Sequence, residues 1–178
     1  MLEQLTTILP FGVLALHGGL AVLLIYVALS SPRDRQKLIK QISAYAYHIV
    51  FGASAAATLG SLYYSSIVGF TPCLLCWWQR IFMFPLMLIS LLAIWKKDKH
   101  VTDYLLVLSL AGLVFGLYHY YIEWGGEPLL PCAADALAAS CSRRYVFAFH
   151  YITIPLMAVT IFGISAGALL IRRQQERN

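Results

Sequence analysis

Residues 71–95 read TPCLLCWWQRIFMFPLMLISLLAIW. Arg80 is the only charged residue in the stretch. The rest is long and apolar enough for a transmembrane helix, which needs about 20 such residues. Two cysteines, Cys73 and Cys76, stand at its mouth. One segment thus predicts both a membrane span and a dithiol at its edge.

The same composition continues along the chain. Of its 178 residues 60% are hydrophobic and 12% charged, and the mean hydropathy is +0.73; a soluble domain has about 45–50% apolar and 25% charged residues. This predicts a polytopic all-α membrane protein. Apolar runs at about 8–29, 44–66, 102–122 and 146–171 join the run at 74–95 to give five expected spans. The length leaves no room for a second, soluble domain.

Lysine and arginine set the expected orientation. They cluster at Arg33, Arg35, Lys37 and Lys40, at Lys96, Lys97 and Lys99, and at Arg172, Arg173 and Arg177. Five spans with the N-terminus outside and the C-terminus cytoplasmic put all three clusters in the cytoplasm, as positive charge prefers. Arg80 and the pair Arg143–Arg144 are the exceptions. The small residues at 27–31, VALSS, also allow the first run to be a signal peptide, but residues 1–7 carry no lysine or arginine and the positive charges follow the run. A retained span fits better. The net charge of +5 then reports orientation, and no basic stripe supports nucleic-acid binding. The same topology puts Cys73, Cys132 and Cys141 outside, with Cys76 just within the membrane edge. On that side paired thiols persist as disulfides.

Thr71 is expected to cap the helix, with Pro72 as its first residue. Cys73 and Cys76 would then occupy the first turn and a half, where unpaired N–H groups and the macrodipole favour thiolates. Gln79 and Arg80 follow Cys76 at helical spacing on one face, with Arg80 roughly 6 Å further along the helix. An arginine there either snorkels to the headgroups or stabilises a thiolate or a developing oxyanion on an acceptor. There is no glycine-rich dinucleotide fingerprint, and Trp77 follows Cys76 where a CxxCH haem motif needs histidine. At a membrane edge a lipid-soluble quinone is the acceptor that needs no soluble cofactor fold. Cys132 and Cys141, in the loop 123–145, form either a static staple or an exchange pair passing oxidising equivalents through mixed disulfides.

PCLLCWWQRIFMFP at 72–85, YHYYIEW at 118–124, the loop cysteine pair and FHYITIPLMAVTIF at 149–162 together resemble the DsbB/BdbC family of bacterial disulfide-bond formation proteins, over about residues 45–175. The resemblance implies a four-helix bundle over 43–178, with residues 1–42 an extra N-terminal span and a basic cytoplasmic loop. It implies an enzyme of the bacterial inner membrane that reoxidises a DsbA-like thioredoxin-fold thiol oxidase and passes the electrons to ubiquinone or menaquinone. Carried over, Cys73–Cys76 is the quinone-facing pair, with Cys76 the thiolate in charge-transfer contact or adduct with the ring. Arg80 and His119 match family residues of the quinone site; Gln79, on the same helix face as Cys76 and Arg80, and His150, at the outer end of the last span, are expected to join them. Cys132 is attacked by the soluble partner and Cys141 resolves.

Several features depart from the family pattern. The loop spacing is short, the span 8–29 has no counterpart in the core pattern, and position 79 is Gln where an acidic residue often stands, so no carboxylate base is expected there. His17 with Gly18-Gly19 is expected to mark close helix packing. A vitamin K epoxide reductase-like enzyme is the nearest alternative, but its CxxC follows the loop pair, the reverse of the order here. A zinc site has an unusual spacing for these cysteines, and no metal is expected. The remaining alternative is a non-enzymatic protein with stapled loops, against which Arg80 below Cys76 argues.

Overall fold

The computed structural model describes residues 2–98, 100–127 and 140–177. Five helices form in chain order: α1 (Leu2–Leu29), α2 (Pro32–Leu62), α3 (Leu74–Lys96), α4 (Thr102–Glu123) and α5 (Ile154–Arg177). One turn of π-helix, Tyr63–Ile67, extends α2. Each is long and apolar enough to cross a membrane. No strand forms among the described residues, apart from an isolated bridge between Ala148 and Ile152. The expected short helical turn at 133–139 and Cys132 lie outside the described residues.

Helix α1 begins at Leu2, ahead of its apolar run, and three further helix starts differ from expectation, each for a local reason. Residues 33–40 are not a loop but the first turns of α2. Ser31 caps that helix by accepting from the Asp34 N–H, and Pro32 stands where a missing N–H costs nothing. Helix α3 begins at Leu74, and its cap is Cys73 rather than Thr71. Helix α5 begins at Ile154, eight residues later than the apolar run suggests. Pro155 sets that start, since proline fits a first turn and disfavours helix before it. Upstream, Phe149 and His150 both have positive φ, 53° and 64°, and the Tyr151 N–H donates to the Ala148 carbonyl at 3.2 Å. This is a type I′ turn made without glycine.

Helices α2, α3, α4 and α5 close into a ring, each packed on the next and α5 back on α2. Its core holds Val50, Leu86, Leu105, Phe162 and Leu169, all fully buried. Small residues permit the closest approach. A Cβ on Gly112 would meet the Phe162 ring at 2.3 Å, and one on Gly116 would meet Val159 at 3.0 Å, so α4 presents a GxxxG face to α5. Helix α1 lies outside the ring, touching chiefly α5; Val22, Leu24, Ile25 and Leu29 on it are exposed, as lipid-facing residues are.

A polar network ties the basic end of the ring together. Tyr47 on α2 bonds Thr102 on α4 at 2.8 Å, and the Thr102 hydroxyl donates to Glu176 on α5 at 3.2 Å. Arg172 pairs with Glu176 at 2.8 Å, donates to the Ser43 carbonyl and lies over the Tyr47 ring. Arg173 pairs with Asp103. The up-and-down connectivity therefore gathers the described basic clusters at one end and the cysteines at the other.

Gly112→Leu should cost about 1–3 kcal/mol by overpacking against Phe162, read as a lower unfolding midpoint in detergent. Gly163→Leu, with open space around its Cβ position, should change the midpoint far less.

Candidate active site

Cys73 is extended (φ −77°, ψ 173°), and its Sγ accepts from the Cys76 N–H at 3.3 Å. A sulfur thus caps α3, and Cys76 comes one turn in on the same side. The two sulfurs are 2.9 Å apart and both are free of disulfides. Cys141, by contrast, is disulfide-bonded and packs in the same apolar cluster as Cys73, Leu75 and Ile122.

His119, on α4 and 3% exposed, joins the two regions. Gln79 donates its amide N–H to His119 Nδ1 at 3.0 Å, which leaves the ring hydrogen on Nε2. That N–H is shared between Cys73 Sγ at 3.5 Å and the Cys141 carbonyl at 3.2 Å. Cys73 therefore receives donors from the Cys76 backbone, the Cys76 thiol and the His119 ring. The hydrogen bond from the Cys76 side chain, then the His119 ring, hold the Cys73 thiol well below its usual range, against the opposing effect of burial. Within the free pair these donors favour a thiolate on Cys73. Donor atoms of Cys73, Cys76 and His119 lie within 4.8 Å of one another, a set able to hold a soft metal as well as to exchange disulfides.

Arg80 lies two turns into α3 and is 8% exposed. Its Nε donates to Ser61 Oγ at 2.8 Å, and its Nη2 donates to the Ser61 carbonyl at 3.0 Å and to Ser65 Oγ at 2.8 Å. Ser61 closes the last turn of α2 and Ser65 sits in the π-turn, a distortion that often marks functional sites. The guanidinium lies over the Trp77 ring, 5.1 Å from its centroid. Among the described residues no carboxylate pairs with it. Its hydrogen bonds hold it rigidly while its charge stays uncompensated, so it does not snorkel to the surface.

Two chambers meet at the cysteines. The larger, about 270 Å³, lies between α1, α2, α3 and α5; Cys76, Gln79 and Arg80 form its polar end. Tyr64, Phe70 and Tyr145, stacked in series with centroids 5.7 and 4.6 Å apart, border it. The smaller, about 20 Å³, is lined by Cys73, Cys76, His119, Glu123 and Arg143 among others. Cys73 borders only the smaller chamber and Cys76 borders both.

The structure thus brings together Cys73, Cys76, Gln79, Arg80 and His119, with Cys141 beside them. His150 is not among them: it is exposed in the type I′ turn and lines neither chamber. Two residues escaped the sequence reading. Glu123, 6% exposed, faces the smaller chamber with Oε2 lacking any hydrogen bond; its only signal was an acid ending the apolar run YHYYIEW. Arg144 donates from Nε and Nη2 to the Glu123 carbonyl, satisfying the C-terminus of α4, and lies over Trp124 and Phe147.

Because the Cys73 pKa is lowered, its thiolate persists as pH falls below the range of an ordinary thiol. The rate of modification of the free pair by a small thiol reagent should hold nearly constant as pH falls through about 8.5, where an ordinary thiol loses its thiolate, and drop only at lower pH. In His119→Ala the drop should move to higher pH. A wild-type midpoint near that of an ordinary thiol, about 8.5, would contradict this arrangement.

Residues 43–171 match the family described as disulfide bond formation protein DsbB. The probable disulfide formation protein C 1 of Bacillus anthracis is 42% identical over 123 residues, 66% of this chain and 84% of that protein. The SPbeta prophage-derived disulfide bond formation protein B of Bacillus subtilis is 35% identical over 134 residues, 73% of this chain and 89% of its own length. A probable disulfide formation protein of Chlamydia pneumoniae is 33% identical over 138 residues, 77% and 98%. No solved structure matches. The helical ring, the free CxxC pair at its end and the disulfide-bonded Cys141 beside it agree with that match over most of the chain: the protein belongs to the DsbB family of disulfide bond formation proteins.

Proposed function

We propose that this protein reoxidises a DsbA-like thioredoxin-fold thiol oxidase outside the bacterial inner membrane and passes the electrons to a membrane quinone, ubiquinone or menaquinone. The observation that carries this reading is the position of the Cys73–Cys76 pair between two chambers. Cys73 faces the side where Cys141 arrives, and Cys76 faces the apolar cavity with Arg80.

The larger chamber suits such an acceptor. Its size is near the low end of small-molecule sites, roughly 300–1,000 Å³, its walls are mostly apolar, and its polar end offers Arg80 and Gln79 as donors. A bound quinone supplies a sink for two electrons and two protons. Everything else falls to the chain. A thiolate of the partner attacks the loop disulfide at Cys132, and Cys141 leaves. When the partner's second thiolate attacks the mixed disulfide, the oxidised partner departs and the loop pair is left as a dithiol. Cys141 of that dithiol attacks the Cys73–Cys76 disulfide at Cys73, and Cys76 leaves as a thiolate within the field of Arg80; Cys132 then attacks the Cys141–Cys73 mixed disulfide, which restores the loop disulfide and leaves Cys73–Cys76 as the reduced pair. Glu123, beside Cys73, takes up a proton released in the exchange. His119 holds a donor on Cys73, and Gln79 fixes the tautomer that does so. Burial of Arg80 with no carboxylate paired to it among the described residues keeps its charge available for an anion. The basic end of the ring lies in the cytoplasm by the same reading.

Purified protein mixed with a reduced thioredoxin-fold oxidase should reduce a soluble quinone analogue. Cys76→Ser should abolish turnover; turnover persisting in that variant would overturn the proposal. Arg80→Ala should lower the rate about 10²-fold, while Arg80→Lys, which keeps the charge but loses the fork to Ser61 and Ser65, should recover part of it.

A further inference from the structure

Helix α1 precedes the family match, which begins at residue 43, yet it is not an idle lipid-facing span. Leu9, Gly12, Val13 and Leu16 line the larger chamber. They recur at i, i+3, i+4 and i+7, one face of a helix. Val13 on that face is 8% exposed, whereas Leu24 and Leu29 further along are 69% and 82% exposed. The helix touches the ring where the chamber is and is bare to lipid elsewhere.

A polar latch holds it there. His17 Nε2 lies 2.8 Å from Thr160 Oγ1, and Nδ1 lies 3.2 Å from the Tyr151 hydroxyl. Thr160 commits its own hydrogen to the Leu156 carbonyl at 2.9 Å, so its oxygen accepts from the His17 Nε2–H, and Nδ1 accepts from Tyr151. Both ring nitrogens are satisfied within the span, as an apolar surround demands. One and a half turns earlier, Phe11 packs edge-on against Phe149, centroids 4.9 Å apart. Phe149 and Tyr151 both belong to the type I′ turn, so that turn serves as the docking point of α1. Gly12 lies between these two contacts, and a Cβ built on it meets nothing within 4 Å.

We propose that α1 completes the acceptor site: it forms the outer wall of the chamber beside Cys76 and Arg80, and Gly12 sets how large a quinone that chamber admits. The inference rests on the quinone reading above and adds to it a wall that lies outside the matched region. Without α1 the chamber is a groove open to lipid. With α1 latched, the groove gains a wall on that side, and any side chain at position 12 takes space from a molecule beside Cys76.

Equilibrium binding of a short-tailed quinone to the full-length protein, followed by quenching of tryptophan fluorescence, tests this directly. Gly12→Ala, Gly12→Leu and Gly12→Phe should weaken binding in that order, reaching about tenfold or more for Phe. Ala57→Phe, filling the same chamber from α2, should weaken it comparably. Gly19→Phe, on an exposed part of α1 outside the lining, should bind as the wild type does. The graded series separates filling from misfolding, since Gly12→Ala adds only a methyl group in open space. Unchanged binding in Gly12→Phe with weakened binding in Ala57→Phe would overturn the role of α1 and leave the quinone reading standing. No saturable quenching in the wild type would overturn both.

Discussion

The Cys76 N–H that donates to the sulfur of Cys73 decides more than the start of one helix. Helix ends leave N–H groups without partners, and here a cysteine sulfur supplies one of the missing acceptors. Because Cys73 is the cap, Cys76 is a first-turn residue and Arg80 follows one turn further in. The CxxC pair therefore straddles the boundary between an extended segment, which the loop can approach, and a membrane helix, which faces the apolar chamber. His119 and Gln79 complete the arrangement by directing a ring N–H at the same sulfur. An N-cap of serine or threonine would start the helix equally well and leave no sulfur on that side.

The second constraint is a cation in a membrane span with no carboxylate paired to it among the described residues. Arg80 gains its hydrogen bonds from hydroxyls and a carbonyl of the preceding helix. These occupy its Nε and Nη2 hydrogens without neutralising it. The π-turn supplies Ser65, and the Tyr64–Phe70–Tyr145 stack runs along the chamber at the same level. Preorganised charge in a low-dielectric setting is the usual means of stabilising an anion at a reacting centre. The aromatic border and the polar end are both parts of that setting.

Much of this was legible in the sequence. Long apolar runs declare spans, and the CxxC at the mouth of one, with Gln79 and Arg80 at helical spacing, survives into the structure as read. The cap was misplaced because threonine before proline is the stronger conventional signal, whereas Cys73 acts through a sulfur that propensity scales do not rank. The start of α5 was misplaced because hydrophobicity alone does not separate Tyr145–Thr153, an aromatic turn, from the helix after it; Pro155 was the signal that did. His150 was expected to reach the quinone site from its place near the end of a span, but a left-handed turn aims it outward. Ser61, Ser65 and Glu123 could not be found by spacing, since their roles depend on which helix faces which.

The extension of α2 through the basic stretch adds a geometric consequence. With its π-turn the segment Pro32–Ile67 runs 36 residues, about 54 Å at helical rise, against a hydrocarbon thickness of about 30 Å. Such hydrophobic mismatch is met by tilt or by projection beyond the lipid. The Arg33–Lys40 turns resist immersion, so they act as a float at one face. Ser61 and Ser65 lie at the far end of the same rod. The depth at which the guanidinium of Arg80 rests below the opposite face is thereby set by the length of a helix whose charged end lies on the other side of the membrane.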